Sequence, residues 1–156
     1  MKILCDQMLG SLATWLRFIG FDTFFTNGVI SDQELLAIAK KEGRVLITRD
    51  KNLLAMAKKN HVGHIPIDTI SLDEQLQKVL KNKTIEDVKV LSRCSLCNTT
   101  LKIIEKRNVI NKIPPGAYEQ YNLFWTCPNC HKIYWRGSHY DKILKKVNQL
   151  KLNKSY

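Results

Sequence analysis

Residues Arg44 to Asp50 read Arg-Val-Leu-Ile-Thr-Arg-Asp. Val45 to Thr48 are all apolar or β-branched, so both alternating faces of the segment avoid water. A strand of that kind must be covered from two sides, which is the condition inside a parallel sheet. A helical pattern starts directly after Asp50, as a parallel crossover requires. Asp50 therefore stands at the carboxyl end of a central strand, where open α/β sheets place their ligands.

The chain up to about residue 91 repeats this alternation. Lys2 to Cys5 is a short apolar strand ending in Asp6. Leu9, Leu12, Ala13, Leu16 and Ile19 recur at helical spacing, with Gly20 as the stop. Phe21 to Thr26 reads as a second strand. Ser31 and Glu34 form a capping box for a helix that ends at Gly43. Asn52 to Asn60 reads as a helix, and His64 to Asp68 as a strand whose Pro66 puts it at an edge. Ser71 and Glu74 repeat the capping box ahead of a helix through Leu76, Val79 and Leu80. A strand–helix order of this kind implies α/β architecture, a parallel sheet flanked by helices with right-handed crossovers.

Asp6 and Asp50 each follow a strand, and Asp32 opens a helix where the chain leaves the same rim. If the two strands are neighbours, three acids meet at one edge of the sheet. Carboxylates ~4 Å apart repel by roughly 4 kcal/mol at an effective dielectric of 20. Either one takes a proton or a cation sits between them, and oxygen donors suit Mg²⁺ or Mn²⁺. The alternative is that Asp6 and Asp50 are helix N-caps and Asp32 a first-turn acid favoured by the helix dipole. Charge and periodicity leave both readings open.

Charge is divided unevenly along the chain. Residues 1–91 carry 13 Lys/Arg against 11 Asp/Glu, whereas residues 92–156 carry 12 against 3. The excess in the second part predicts a polyanionic partner. No apolar run approaches the ~18 residues of a membrane span, and the N-terminus lacks a signal-peptide pattern. The expectation is a cytoplasmic protein with no membrane association. A boundary is expected near Ser92, after the polar stretch Lys83 to Lys89.

Cysteine spacing organises the second part. Cys94-x2-Cys97 and Cys127-x2-Cys130 are separated by 29 residues. Paired C-x2-C knuckles predict a closed, tetrahedral, structural Zn²⁺ site in a ribbon of hairpin strands. Disulfides are disfavoured without a secretory signal. Cys5 is left over and reads as a small buried hydrophobe. Tyr118, Tyr121, Phe124, Trp125, Tyr134 and Trp135 interleave with Lys132, Arg136 and His139, a pattern suited to stacking on unpaired nucleotides. Phe124 and Tyr134 are instead expected to pack the ribbon's small core. Ile143, Leu144, Val147 and Leu150 repeat at helical spacing in the lysine-rich segment from Asp141 to Lys154, which predicts an amphipathic helix docked on the body.

Asp6 to Thr23 reads D-Q-M-L-G-S-L-A-T-W-L-R-F-I-G-F-D-T, followed later by S-D-Q-E-L and L-I-T-R-D. These strings resemble the PIN-like ribonuclease family known as the Mut-seven C-terminal RNase domain, over Met1 to about His139. The resemblance implies a PIN-like nuclease domain at 1–91, a zinc ribbon at 92–140 and a basic helix or tail at 141–156. It implies metal-dependent, endonucleolytic hydrolysis of RNA, with Asp6, Asp32 and Asp50 holding Mg²⁺ or Mn²⁺. A fourth acid often follows the third in PIN domains. Here Asn52 offers a carbonyl oxygen without charge. Arg17 and Arg49 are expected near the rim as phosphate ligands. Tyr134 to His139, Y-W-R-G-S-H, also resembles the family after its last knuckle, with Arg136 and His139 as RNA contacts. The alternative is a non-catalytic RNA- or ribosome-binding module whose rim acids only cap helices; no protein partner is indicated.

Overall fold

The computed structural model describes residues 1–81 and 89–152. The expected polar linker, apart from Lys89, lies outside the described residues. The first part alternates strand and helix: β1 (Lys2–Cys5), α1 (Gly10–Phe18), β2 (Asp22–Phe24), α2 (Asp32–Glu42), β3 (Val45–Thr48), α3 (Lys51–Lys59), β4 (His64–Pro66) and α4 (Leu72–Leu80). The strands form one parallel sheet in the order β2-β1-β3-β4. β1 and β3 are thus central neighbours, with Cys5 opposite Ile47, and β4 with its proline is an edge.

Successive residues of the central strands enter different cores, as a period of two requires. Ile3, Cys5 and Ile47 pack with Leu12, Leu16 and Leu76 on one face. Leu4 and Leu46 pack with Leu35, Ala39 and Leu53 on the other. The sheet is therefore covered on both sides, which explains why Val45 to Thr48 carry no outward polar alternation. Burial pushes the Cys5 thiol well above its ordinary pKa, with Asp6 adding to the rise. It behaves as a small hydrophobe.

The capping box at Ser31 and Glu34 forms in both directions. The one expected at Ser71 does not. Ser71 makes no side-chain cap, because the Thr69 hydroxyl takes the Glu74 carboxylate and accepts the Ser71 amide. Gly20 adopts φ +97°, and a Cβ there would lie 2.5 Å from the Lys89 carbonyl oxygen. Only glycine allows the returning chain to approach so closely.

The second part forms an antiparallel sheet, β5 (Lys102–Ile104), β6 (Phe124–Thr126) and β7 (Ile133–Trp135), in that order. The connection between β5 and β6 contains α5 (Pro115–Gln120). It accounts for the long gap between the cysteine pairs. The chain then returns to the first part as α6 (Ser138–Leu152), three residues ahead of the expected start. Ile143, Val147 and Leu150 complete the first core, against α4.

Candidate functional site

Asp6, Asp32 and Asp50 line one cavity of about 160 Å³ at the carboxyl rim of the parallel sheet. Asp6 is delivered by β1 and Asp50 by β3, while Asp32 is the first residue of α2. Asp6 is only 5 % exposed. Its Oδ1 accepts the Met8 amide at 2.7 Å, and its Oδ2 accepts the Thr48 hydroxyl. The same Thr48 oxygen accepts the Asp50 amide at 2.9 Å. Thr48, buried and central, thus joins the two strand-end acids. Sequence reasoning missed this role; its signal was the Thr of the T-R-D string.

Asp50 is exposed and caps α3, its Oδ1 accepting the amides of Asn52 (2.6 Å) and Leu53 (3.0 Å). Asp32 is exposed, and its carboxylate makes no hydrogen bond or ion pair among the described residues. The loop before it is fastened to the end of β1 by Gln7, whose Nε2 donates to the carbonyls of Gly28 (3.1 Å) and Ile30 (3.4 Å). Asn52 sits in the first turn of α3, next to the cavity-lining Asp50 and Leu53. Arg49 is half-buried beside Asp50 and has no ion pair among the described residues.

Arg17 is a correction. It does not reach for phosphate at the rim but lies buried, 5 % exposed, between the two parts of the chain. Its Nε donates to Thr23 O (2.9 Å) and its Nη1 to Leu96 O (2.7 Å), inside the first cysteine knuckle. Asn98 of the same knuckle receives the Thr23 amide on Oδ1 (3.0 Å) and donates Nδ2 to Asp22 (2.9 Å). The free edge of β2 is closed in this way, which removes a template for wrong strand pairing. Asp22 also pairs with Arg44 (2.7 Å) and Arg93 (3.4 Å). Burial alone would raise its carboxyl pKa, yet the hydrogen bonds from Arg44 and Asn98 and the two guanidinium charges hold it below the ordinary value.

Arg136 is exposed and lies over the rings of Trp125 (5.6 Å) and Tyr140 (5.5 Å). His139 is exposed and packs edge-on to Phe18 of α1, centroids 5.1 Å apart. Phe124 and Tyr134 are buried.

The sulfurs of Cys94, Cys97, Cys127 and Cys130 all lie within 4.8 Å of one another. The Cys94–Cys130 and Cys97–Cys127 separations are 3.5 and 3.3 Å. Tetrahedral Zn–S bonds of about 2.3 Å place sulfurs about 3.8 Å apart, so the cluster fits zinc with little adjustment. The two knuckles repeat one backbone design. Asn98 N bonds Cys94 O and His131 N bonds Cys127 O, each at 2.9 Å. Asn98 and His131 both adopt positive φ, 68° and 61°. The Tyr134 hydroxyl lies 3.1 Å from Cys94 Sγ and accepts the Ser95 amide at 3.1 Å. A thiolate can only accept, so the phenol would donate to it. Among the described residues, the cysteines alone form a group of three or more potential ligands close enough to hold an ion. The three acids share a cavity without forming such a group.

One curated relative, the human protein named "Exonuclease mut-7 homolog", is 24 % identical over 116 residues. The match covers 72 % of this chain and 13 % of the human protein. A family model described as "Mut7-C RNAse domain" matches residues 1–147, which include the acidic cavity and all four zinc-ligand candidates. The chain belongs to the Mut7-C RNAse domain family.

Proposed function

We propose that this protein is a metal-dependent ribonuclease that hydrolyses RNA phosphodiester bonds at internal positions. The observation that carries this reading is the meeting of Asp6, Asp32 and Asp50, from three separate segments, around one cavity. Membership of an RNase family agrees with it. The cavity's charged donors are hard carboxylate oxygens, a set that fits Mg²⁺ or Mn²⁺. Such an ion would supply an activated water and neutralise charge on the leaving oxygen. The chain's own work is positioning. Thr48 and the Met8 amide hold both Asp6 oxygens, and the α3 cap fixes Asp50 through one oxygen, while the other takes no hydrogen bond among the described residues. Asp32 stands at the amino end of α2, with its loop held by Gln7. Asn52 and Arg49, beside Asp50, are the nearest candidates to help with metal and phosphate. The cysteine cluster holds structural Zn²⁺, and the basic second part, Arg136 and His139 included, attracts RNA.

A second reading has one observation in its favour: Asp6 and Asp50 both cap helical turns. On that reading the chain is a non-catalytic RNA-binding module. Cleavage of single-stranded RNA with Mg²⁺ or Mn²⁺ separates the two. Asn is as good an N-cap as Asp, so Asp50→Asn keeps the cap and removes the charge. The nuclease reading expects Asp6→Asn and Asp50→Asn to lose at least roughly 100-fold in rate, with Asp50→Asn melting close to the parent. Equal cutting by the parent and both variants would refute it.

A further inference from the structure

A binding pocket sits on the outer face of the ribbon sheet. Tyr134 points to the face that carries the cysteine cluster and is buried there. By strand alternation Ile133 and Trp135 share the opposite face, together with Phe124, which pairs with Trp135. The segment between β5 and β6 folds over this second face and buries Phe124 and Val109 completely. It covers the rest only in part. Ile133 and Trp135 stay half-buried beside Ile113 and Pro114, around a cavity of about 450 Å³. Lys112 stands exposed among its lining residues, which include no acid, while the Lys132 ammonium lies over the Tyr134 ring of the other face, 5.5 Å from its centroid. The indole is backed by Gly137, where a Cβ would lie 2.7 Å from Trp135 Nε1. The ring is therefore seated against backbone and already ordered.

We propose that this pocket binds one unpaired nucleotide of a single-stranded RNA, its base against Trp135 and a flanking phosphate on Lys112. An ordered indole with an apolar floor suits the face of any base, and an ammonium group without a competing carboxylate suits a phosphate. A volume of about 450 Å³ falls within the size range of small-ligand sites. The assignment is a separate grip for the substrate of the proposed nuclease and rests on that reading for the identity of the strand.

The test uses the zinc-loaded full chain carrying Asp50→Asn, so that RNA is bound without being cut. Anisotropy of a fluorescein-labelled oligouridine 10-mer reports affinity. Trp135→Leu keeps apolar bulk but cannot stack, and should weaken binding roughly 5- to 150-fold, whereas Trp135→Phe should recover most of the loss. Lys112→Ala should lower the slope of log affinity against log salt by roughly 0.7. Lys112 is exposed, so this variant remains decisive if Trp135→Leu fails to fold. Affinities within twofold of the parent, with an unchanged salt slope, would overturn the proposal. Uridine monophosphate should displace the oligomer only at millimolar levels; displacement at micromolar levels would mark a free-nucleotide site and also overturn it. Hydrolysis of bis(4-nitrophenyl) phosphate by the unmutated chain reports on the acidic cavity separately. Its absence beside Trp135-dependent binding removes the nuclease reading alone. Its presence beside Trp135-independent binding removes this one alone.

Discussion

Replacing Arg17 by alanine would test how the two parts of the chain are fastened. Its two short bonds reach Thr23 O on β2 and Leu96 O between the first pair of cysteines. Hydrogen bonds to a charged group are worth about 1.5–3 kcal/mol each, so the zinc-loaded protein should lose about 3–6 kcal/mol. For a chain of this length that lowers the melting temperature by roughly 6–24 °C. Zinc bound by four thiolates carries a net charge of −2, which favours the adjacent guanidinium. Without zinc the knuckle has no reason to hold Leu96 in place, and of the two short bonds the one to Thr23 remains to be lost, beside a long one to Phe25 O (3.5 Å). The cost of Arg17→Ala should then fall to about 1.5–3 kcal/mol. Urea unfolding of both variants, with and without chelator, measures this difference. The proposed RNA cleavage per folded molecule, assayed well below the melting transition, should be unchanged. A variant with unaltered stability and a raised KM for RNA would refute the structural role and restore Arg17 as a phosphate ligand.

Chelation of zinc should unfold the ribbon and spare the parallel sheet, because structural zinc contributes about 10–16 kcal/mol to small cysteine domains. Hydrogen exchange would show the Asn98 and His131 amides losing protection while those of β1 and β3 keep it; equal protection before and after chelation would contradict this. Asp22 predicts an acid sensitivity. Its folded pKa is depressed, so its contribution is complete above the unfolded value of about 3.9 and is lost as pH falls through the folded one. The gap between the urea midpoints of the parent and Asp22→Asn should therefore hold above about pH 5 and close as pH falls below about 4, and a constant gap down to about pH 2 would contradict the linkage.

Local patterns carried most of the fold. Both central strands, the helices and the αL stop at Gly43 follow from apolar periodicity and capping residues within a few positions of one another. The four cysteines declared their cluster by spacing alone. What escaped were the roles set by distant chain that no motif announces. Arg17 lies on a helix whose periodicity gives no warning of burial, since its partner Leu96 is 79 positions away. Thr48 reads as the last residue of a strand until β1 is known to lie beside it and Asp6 is seen to take its hydroxyl. Asp22 likewise acquires its partners Arg93 and Asn98 only when the knuckle docks on the edge of β2. The Ser71 box failed for a local reason, because Thr69 competed for the same carboxylate.

The sequence posed capping and metal binding as rivals for Asp6 and Asp50, and the geometry makes them compatible. A carboxylate has two oxygens and about four acceptor directions. At Asp50 the cap uses Oδ1 alone, and two short amide bonds fix the rotamer of the whole group. The remaining oxygen of this cavity-lining residue needs little further ordering when a ligand arrives. Asp6 is pinned through both oxygens, but each of its described bonds uses only one acceptor direction. Caps at strand ends are thus a means of presenting acids, and their presence does not count against a metal site. The discriminating variable is charge. A chain whose acids only cap would tolerate asparagine at position 50, since the amide oxygen accepts the same two N–H groups. A chain whose acids hold a divalent ion would keep its fold under that substitution and lose its chemistry.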